Sequence, residues 1–389
     1  MVDDVAARLA DEQRLGDAVA LAMAQTSHPE VNVWRPMSLA FGDSGVALLL
    51  GVLGHDVAGH RLLAGAVGGI AAGSPLGLFD GVHGVRAAAW ALSKDGARYT
   101  GLLSKLDRFV ATGDAGTVAG GVASAYDLIG GITGWGAGLL AHRTAETGDA
   151  LAGVVRAVGR LLSEDDEGPR AWMVVDERRA VDTGVAHGIP GLLAFASLAL
   201  STPDLATPEL RDAVAWGSRW LLRLGKSLPQ KGFWPQIVSM ELEPGPMVGP
   251  KWCYGTAGVA RALWLAGKAL DDQEVLAEAV RMALEVAGAD PAELPSPGLC
   301  HGLAGTLLVL RHFAWDTGRA EFDVAVRDLS AALLDRYDPD SPMGFRDVEN
   351  SGAEVDNPGL LSGAAGIALA LHALDLGERP WWSRLFLLG

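Results

Sequence analysis

The sequence predicts an all-α protein that folds as a single-domain α/α toroid over residues 1–389, with seven inner helices surrounded by seven outer helices. The first observation is repetition: a Gly-x-x-Gly motif occurs seven times, each time opening a strongly apolar stretch compatible with a helix. The second is that amphipathic segments alternate with these stretches, without an interrupting linker. With 49% hydrophobic residues, the chain can bury a large core, which excludes a disordered protein.

The seven motifs mark the starts of the predicted inner helices. Apolar runs follow them, for example residues 46–53 in the first repeat and 367–374 in the last. About 56 residues are available per repeat (389/7), enough for two helices of average length and their loops. The glycines would let backbones crowd near the axis of the toroid. The motifs begin at Gly42, Gly81, Gly131, Gly188, Gly255, Gly302 and Gly363.

The predicted outer helices are the amphipathic segments between the motifs. In residues 208–224, Thr207 is placed to cap a helix whose first position is Pro208. Residues 271–287 and 319–337 carry charges at intervals that leave one apolar stripe on each segment. Each repeat is therefore interpreted as one buried helix followed by one amphipathic helix.

An open solenoid of helix pairs is the alternative architecture, and it would need polar faces on its terminal repeats. Here the first and last repeats are as apolar as the middle ones. The chain also ends in Pro380-Trp381-Trp382 and the apolar residues 385–388. These features favour a closed ring.

Two long loops, residues 226–252 and 338–358, are rich in proline and glycine. The first contains the pair Gly232-Phe233 and the second contains Gly344-Phe345. We expect both loops to form structure at the mouth of the toroid.

The charge balance and the termini limit the partners and the compartment. A net charge of −16, from 31 Lys and Arg against 47 Asp and Glu, argues against a nucleic-acid partner. The acidic start, Met1-Val2-Asp3-Asp4, lacks the features of a signal peptide. The uncharged runs 62–79 and 183–203 are interrupted by glycine or proline, so they are predicted as buried helices rather than transmembrane segments. Two cysteines cannot build a disulfide framework, and we expect a cytoplasmic protein with reduced thiols.

Aligning the repeats on their first glycine brings candidate metal ligands into register. The two cysteines, Cys253 and Cys300, lie two residues before the motif in consecutive repeats. His301 and His187 lie one residue before it. Two thiolates and one imidazole suit zinc, and three protein ligands leave a fourth position open, as in catalytic zinc sites.

The alternative is a structural one, in which both cysteines are buried as small hydrophobic residues and His301 bonds to a backbone carbonyl. The shared register of Cys253, Cys300 and His301 favours the metal site. Trp252, next to Cys253, is predicted to form a wall of the substrate pocket.

The segments Trp252-Cys253-Tyr254-Gly255 and Cys300-His301-Gly302, placed within seven Gly-x-x-Gly repeats, resemble the lanthionine synthetase C-like cyclases. The resemblance extends from about Ser38 to Trp382. It implies an α/α toroid with zinc near a central cavity. It also implies that the protein closes (methyl)lanthionine rings in a dehydrated lanthipeptide precursor, by Michael addition of cysteine thiols to dehydroalanine or dehydrobutyrine.

Site residues follow from the same resemblance. Cys253, Cys300 and His301 would be the zinc ligands. His187, in Ala186-His187-Gly188-Ile189, matches the catalytic histidine motif, and Asp127, in Tyr126-Asp127-Leu128-Ile129-Gly130-Gly131, matches the aspartate motif. Tyr254 matches the tyrosine beside the first cysteine ligand.

One position departs from the family pattern. Some bacterial members carry an arginine shortly before the Trp-Cys-Tyr motif, whereas residues 247–251 contain none. Either Lys251, which is assigned to substrate binding, replaces it, or the role is absent. No kinase or dehydratase module precedes the toroid, so we expect a stand-alone cyclase that works with a lanthipeptide dehydratase.

The implied chemistry assigns a role to each residue. Zinc would hold the substrate sulfur as a thiolate, because a free thiol with a pKa of about 8.5 is little ionised at neutral pH. His187 would protonate the enolate that the addition produces. Asp127 would orient His187 or help to deprotonate the thiol, and the alternative is a buried structural carboxylate. Tyr254 would hydrogen-bond the enolate oxygen.

Two other functions stay open at this point. The first is a non-catalytic scaffold that binds zinc and a thiol, such as glutathione or a cysteine-containing peptide. The second is a zinc toroid of the protein prenyltransferase β-subunit type, whose ligands include a carboxylate. Asp127 lies four residues before its motif glycine, off the ligand position, which disfavours the second function.

Overall fold

The computed structural model of the protein describes residues 1–30, 33–116, 122–228 and 232–389. Residues 229–231 of the first long loop therefore lie outside the described residues. The described chain contains sixteen α-helices: α1 (Val2–Ala10), α2 (Glu12–Gln25), α3 (Asp43–Val52), α4 (Asp56–Gly68), α5 (Val82–Leu92), α6 (Thr100–Val110), α7 (Ala123–Tyr126), α8 (Ile132–Ala141), α9 (Gly148–Leu161), α10 (Ile189–Leu200), α11 (Pro208–Ser227), α12 (Thr256–Leu270), α13 (Gln273–Ala287), α14 (Leu303–Thr317), α15 (Ala320–Leu334) and α16 (Ala364–His372). Short 3₁₀ helices span Ala145–Thr147, Pro291–Glu293, Ala373–Asp375 and Trp381–Phe386.

Seven apolar helices form a closed inner ring, as the sequence predicts. Each inner helix contacts the next one, and α16 returns to contact α3, so the solenoid alternative is excluded. The inner ring consists of α3, α5, α8, α10, α12, α14 and α16. Most residues of these helices are buried, because each helix is covered on one side by its neighbours and on the other by an outer helix.

The outer ring is completed by the N-terminus rather than by the last repeat. Six outer helices, α4, α6, α9, α11, α13 and α15, each follow an inner helix and pack against it. No α-helix follows α16 in the described chain, and α1 packs against α16 in the seventh place. The toroid therefore closes by joining the two ends of the chain.

The motif glycines are required by close backbone contacts inside each repeat. Each inner helix starts directly after the first glycine of its motif. A Cβ on Gly45 would lie 2.2 Å from the carbonyl oxygen of Leu39, since the preceding loop folds back onto the first turn of α3. Gly255 also has a φ of +121°, which side chains rarely allow. The motif glycines therefore mainly make room for the preceding loop of their own repeat, rather than for a neighbouring inner helix.

A ring of backbone hydrogen bonds joins the loops that precede the inner helices. The N–H of Ala186 donates to Cys253, Cys253 donates to Cys300, and Cys300 donates to Leu361, with N···O distances of 3.2, 3.1 and 2.7 Å. Leu361 donates to Ala40, and the series returns to Ala186 through Phe79, Ile129 and Leu128. The residues two positions before each motif are therefore neighbours in space, which confirms the register inferred from the sequence.

Nine short strands in the described loops add to the helical fold, and the sequence does not reveal them. They form four small antiparallel sheets, of which the largest has the order β3-β4-β6. Asp182 ends β4 and pairs with Ile237. The strands are β1 (Glu164–Asp165), β2 (Gly168–Pro169), β3 (Met173–Val175), β4 (Arg178–Asp182), β5 (Trp234–Pro235), β6 (Ile237–Ser239), β7 (Met247–Val248), β8 (Asp347–Val348) and β9 (Glu354–Val355).

The apolar C-terminus packs inside the ring. The 3₁₀ helix Trp381–Phe386 contacts α8, and the side chains of Trp382, Leu385 and Phe386 are buried. Phe386 packs against Phe79 with a ring-centroid distance of 5.7 Å. In the described part of the chain, none of the helices combines the length and the apolar character needed to span a membrane.

Candidate metal and catalytic site

A cavity of about 570 Å³ lies where the inner helices begin. The residues one and two positions before the motif glycines line it, with the exception of Gly130, which has no side chain. Both long loops contribute to it, through Gln236, Val248 and Lys251 from the first and Asp347, Glu349 and Asn350 from the second. Both long loops and all seven repeats therefore contribute to one cavity.

Cys253, Cys300 and His301 form a cluster that could hold a metal ion. Their ligand atoms all lie within 4.8 Å of one another. The hydrogen bond from the N–H of Cys253 to the carbonyl of Cys300 brings the two thiols together. The thiol of Cys300 hydrogen-bonds to the sulfur of Cys253, which lowers the pKa of Cys253 and raises that of Cys300. The donor set of two sulfurs and one imidazole nitrogen suits zinc.

The imidazole of His301 lies next to a buried carboxylate. Its Nε2 is 3.9 Å from Oδ1 of Asp347. Asp347 is itself held in place, because its Oδ1 accepts hydrogen bonds from Ser296 Oγ (2.6 Å) and from the N–H of Val348 (2.9 Å). A carboxylate beside a metal-binding histidine is a common way to orient the ring.

His187, which lines the cavity, forms a hydrogen-bonded pair with Asp127. Nδ1 of His187 lies 2.6 Å from Oδ2 of Asp127. The other oxygen of Asp127 accepts the N–H groups of Gly130 and Gly131, both at 2.9 Å. Burial alone would lower the pKa of His187, but the hydrogen bond and charge of Asp127 outweigh it and the pKa is raised. The pair therefore favours a protonated imidazole.

Tyr254 connects this pair to a second buried carboxylate. Its ring stacks beside His187, with a centroid distance of 5.7 Å and an interplanar angle of 27°. Its hydroxyl donates to Oδ2 of Asp182 at 2.8 Å. Burial raises the pKa of Asp182 to about 6, and burial also raises the pKa of Tyr254. The hydroxyl hydrogen is thus engaged by Asp182, whereas the sequence led us to expect it at an enolate oxygen.

The two residues that the sequence assigned to substrate binding differ in their placement. Lys251 lines the cavity. Trp252 is only 1% exposed and is not part of the cavity wall. Its indole N–H donates to the carbonyl of Phe386 at 3.0 Å, and its ring packs edge-on against Phe386. The C-terminal segment offers this apolar contact and acceptor, so the indole points into the core.

Sequence reasoning missed Asp182 and Asp347. Neither occupies the two positions that the repeat alignment singled out, and each meets its partner only through loops of different repeats. Asp80, by contrast, does stand in the aligned position before Gly81 and lines the cavity. Burial raises the pKa of Asp80. The aligned position of Asp80 and the charge of its side chain were therefore, together, a signal in the sequence for this cavity residue.

The chain is similar to known proteins over most of its length. The family model for lanthionine synthetase C-like proteins matches residues 33–387. Nisin biosynthesis protein NisC from Lactococcus lactis subsp. lactis is 22% identical over 341 residues, covering 80% of this chain and 77% of that protein.

One solved structure supports the architecture. The structure of a nisin cyclase aligns with a TM-score of 0.74 and 17% identity, covering 97% of this chain and 98% of the other. A sugar epimerase from a ruminal bacterium covers 97% of this chain and 100% of its own, but its TM-score of 0.44 and 9% identity are too low to support an inference. The match of the family model over nearly the whole chain shows that the protein belongs to the lanthionine synthetase C-like family.

Proposed function

We propose that the protein is a zinc-dependent lanthipeptide cyclase. Its substrate is a dehydrated precursor peptide, in which a cysteine thiol adds to the β-carbon of dehydroalanine or dehydrobutyrine and closes a thioether ring. The observation that carries the proposal is that the Cys253, Cys300 and His301 cluster lines the same cavity as His187, whose imidazole is paired with Asp127. Membership of the lanthionine synthetase C-like family supports it.

Cys253, Cys300 and His301 are the residues that would hold zinc. When bound, zinc supplies a positive charge that lowers the pKa of the substrate thiol and keeps the sulfur as a thiolate. Asp347 beside His301 would keep the imidazole in the orientation that binding needs. With only these three residues as ligands, a bound ion would remain accessible to the substrate thiol.

His187 is the proposed proton donor. The addition forms a carbon–sulfur bond at the β-carbon and leaves an enolate, which takes up one proton at the α-carbon. With Nδ1 bound to Asp127, Nε2 of His187 is the nitrogen left to deliver that proton. The substrate thiol loses one proton and the α-carbon gains one. The atoms therefore balance, and no group leaves the peptide.

Lys251 is the proposed contact of the enolate oxygen. The hydroxyl of Tyr254 is engaged by Asp182, and Lys251 brings a positive charge to the cavity next to the metal cluster. A preorganised charge at this position would stabilise the developing negative charge. In this role Lys251 would replace the arginine that some bacterial family members carry.

The cellular setting follows from the chemistry. The substrate thiols and the two ligand cysteines must stay reduced, so we place the reaction in the cytoplasm. A dehydratase must act first, because it creates the dehydrated residues that the thiols attack. We therefore expect a lanthipeptide dehydratase to be a functional partner.

A cyclisation assay tests the proposal. The zinc-loaded protein is incubated with a large excess of a dehydrated peptide that contains one cysteine, in the presence of a phosphine reductant. Ring closure leaves the peptide mass unchanged and removes the thiol, so the product should no longer react with N-ethylmaleimide. Controls are the same incubation without protein and a peptide with serine in place of cysteine. A thiol-binding scaffold would leave the excess peptide reactive, and that result would contradict the proposal.

The pH dependence of cyclisation tests the His187–Asp127 pair. The imidazolium form needed for proton donation is present below the raised pKa of His187 and is lost as the pH rises through it. In Asp127→Asn the largest of the contributions that raise this pKa is gone, while the burial that lowers it remains. We expect the alkaline limb of kcat/KM to move to lower pH and the rate at neutral pH to fall about 10- to 100-fold. An unshifted limb would show that Asp127 has only a structural role.

A further inference from the structure

We infer that Asp182 is a positioning residue for the proposed reaction, which acts through Tyr254 to hold the imidazole of His187 in its productive orientation. The inference rests on the proposed function and adds a residue that neither the repeat alignment nor the family motifs single out. Two observations support it. Three repeats share the same turn, and only in the repeat of Asp182 does the turn residue have a second carboxylate oxygen.

Asp182, Ser296 and Asn357 occupy the same position, six residues before the first glycine of their motifs. Each side chain accepts a hydrogen bond from the backbone N–H two residues later. The distances are 2.9 Å from Gly184 to Asp182 Oδ1, 3.0 Å from Gly298 to Ser296 Oγ and 2.7 Å from Gly359 to Asn357 Oδ1. The turn therefore needs only one acceptor atom, and serine, asparagine and aspartate all provide it.

Asp182 has a second acceptor that the turn does not use. This oxygen, Oδ2, accepts the hydroxyl of Tyr254 at 2.8 Å. The residue is 2% exposed, so the carboxylate depends on these hydrogen bonds in place of water. The hydrogen bond crosses between two repeats and fixes the phenol ring at both of its ends, by the backbone at one and by the hydroxyl at the other.

The fixed ring forms one face of the environment of His187. It stacks beside the imidazole at 5.7 Å, while Asp127 holds Nδ1 at 2.6 Å. One contact sets the plane of the ring, and the other sets its rotation within that plane. Together they direct Nε2 of His187, and Asp182 controls the first of them through Tyr254.

The expected consequence is a loss of rate rather than of peptide binding. A misplacement of about 1 Å in a catalytic group can cost about 100-fold in rate, whereas the contacts that bind the peptide are unchanged. We expect kcat to fall about 10- to 100-fold when Oδ2 is removed, with KM within about threefold of its original value.

The chain itself provides the matched variants. Asp182→Ser and Asp182→Asn install the side chains that make the same turn in other repeats, so the loop should keep its structure. Asp182→Ser removes the acceptor for Tyr254. Asp182→Asn retains a polar group that can donate to the tyrosine oxygen, so it should restore most of the kcat that Asp182→Ser loses. Tyr254→Phe removes the hydroxyl and keeps the ring.

We expect Asp182→Ser and Tyr254→Phe to lower kcat by similar factors, and the double variant to be no slower than either single one. Zinc content should stay at the original level in all of them. Multiplicative losses in the double variant would show that the two residues act independently and would overturn the inference. An Asp182→Ser variant with full kcat, or an Asp182→Asn variant as slow as Asp182→Ser, would also overturn it.

A second measurement does not depend on turnover. In protein labelled with ¹⁵N-histidine, the Nδ1–H proton of His187 is assigned by its absence in His187→Gln. This resonance should broaden by exchange with water in Asp182→Ser and in Tyr254→Phe, and persist in Asp182→Asn. If no peptide is cyclised by the unmodified protein, the proposed function fails, and these spectra still decide whether Asp182 positions His187. Unchanged spectra in Asp182→Ser would contradict the inference by themselves.

Discussion

Replacing Cys300 with alanine is expected to remove zinc from the protein and to abolish cyclisation. The unmodified protein should carry about one zinc per chain, and the variant should retain less than about a tenth of that after dialysis. The reason is the donor set: without Cys300, one sulfur and one imidazole remain, too few to keep the ion. The backbone of residue 300 is retained, so the hydrogen bonds to Cys253 and Leu361 should persist.

The effect on rate should be large. A metal that stabilises the thiolate contributes several kcal/mol, so its loss should lower the cyclisation rate by about 10³-fold or more. Zinc is measured by mass spectrometry of the metal content, and activity by the loss of thiol in the peptide. The growth medium supplies zinc during expression. Both proteins are also reconstituted with zinc under anaerobic conditions, so that oxidation of the cysteines cannot account for an empty site.

Ser362→Ala is the matched control for this variant. Ser362 lines the same cavity but is not part of the metal cluster. Like Cys300→Ala, this substitution replaces a small polar residue with alanine. It should keep its zinc. Zinc retained in Cys300→Ala, or lost equally in Ser362→Ala, would contradict the assignment of the ligands.

Replacing His187 with glutamine is expected to lower the cyclisation rate by about 10²- to 10⁴-fold while zinc content stays unchanged. Glutamine can still hydrogen-bond to Asp127, but it cannot transfer a proton in the physiological pH range. The comparison with Cys300→Ala therefore separates proton transfer from metal binding. His372→Gln, at the end of α16 and away from the cavity lining, controls for the substitution itself.

Carrying out the His187→Gln reaction in heavy water adds a direct readout. The product gains one deuteron at the α-carbon, because this carbon takes its proton during ring closure. With His187 present, the deuteron should be delivered to one face and give a single stereoisomer. Residual product of His187→Gln should be a mixture of α-carbon configurations. A variant with the original rate and a single stereoisomer would show that another group donates the proton.

The repeat structure could be predicted from the sequence because it depends on local rules. Each inner helix needs a glycine where the preceding loop folds back on the first turn, as at Gly45, so the motif recurs with the helix. The same loop geometry places equivalent residues of successive repeats at equivalent points of the ring. Two cysteines in one aligned position, Cys253 and Cys300, are therefore neighbours in space, and the sequence contained that information.

The tertiary structure alone decided the features that depend on contacts between distant segments. Helix α1 takes the seventh outer place because the ring closes through both ends of the chain. Trp252 points into the core because the C-terminal segment supplies an acceptor and an apolar contact for it.

The two acidic side chains beside the site, Asp182 and Asp347, also depend on contacts between distant segments. Asp182 contacts Tyr254, and Asp347 lies beside His301, in each case between two different repeats. The repeat alignment shows which positions are equivalent, but it does not show which side chains of different repeats meet. Periodicity fixes where the backbone of each repeat lies, since every repeat follows the same local rule. The direction of a side chain and its partner depend instead on which distant segment fills the adjacent space, and this is settled only when the whole chain has packed.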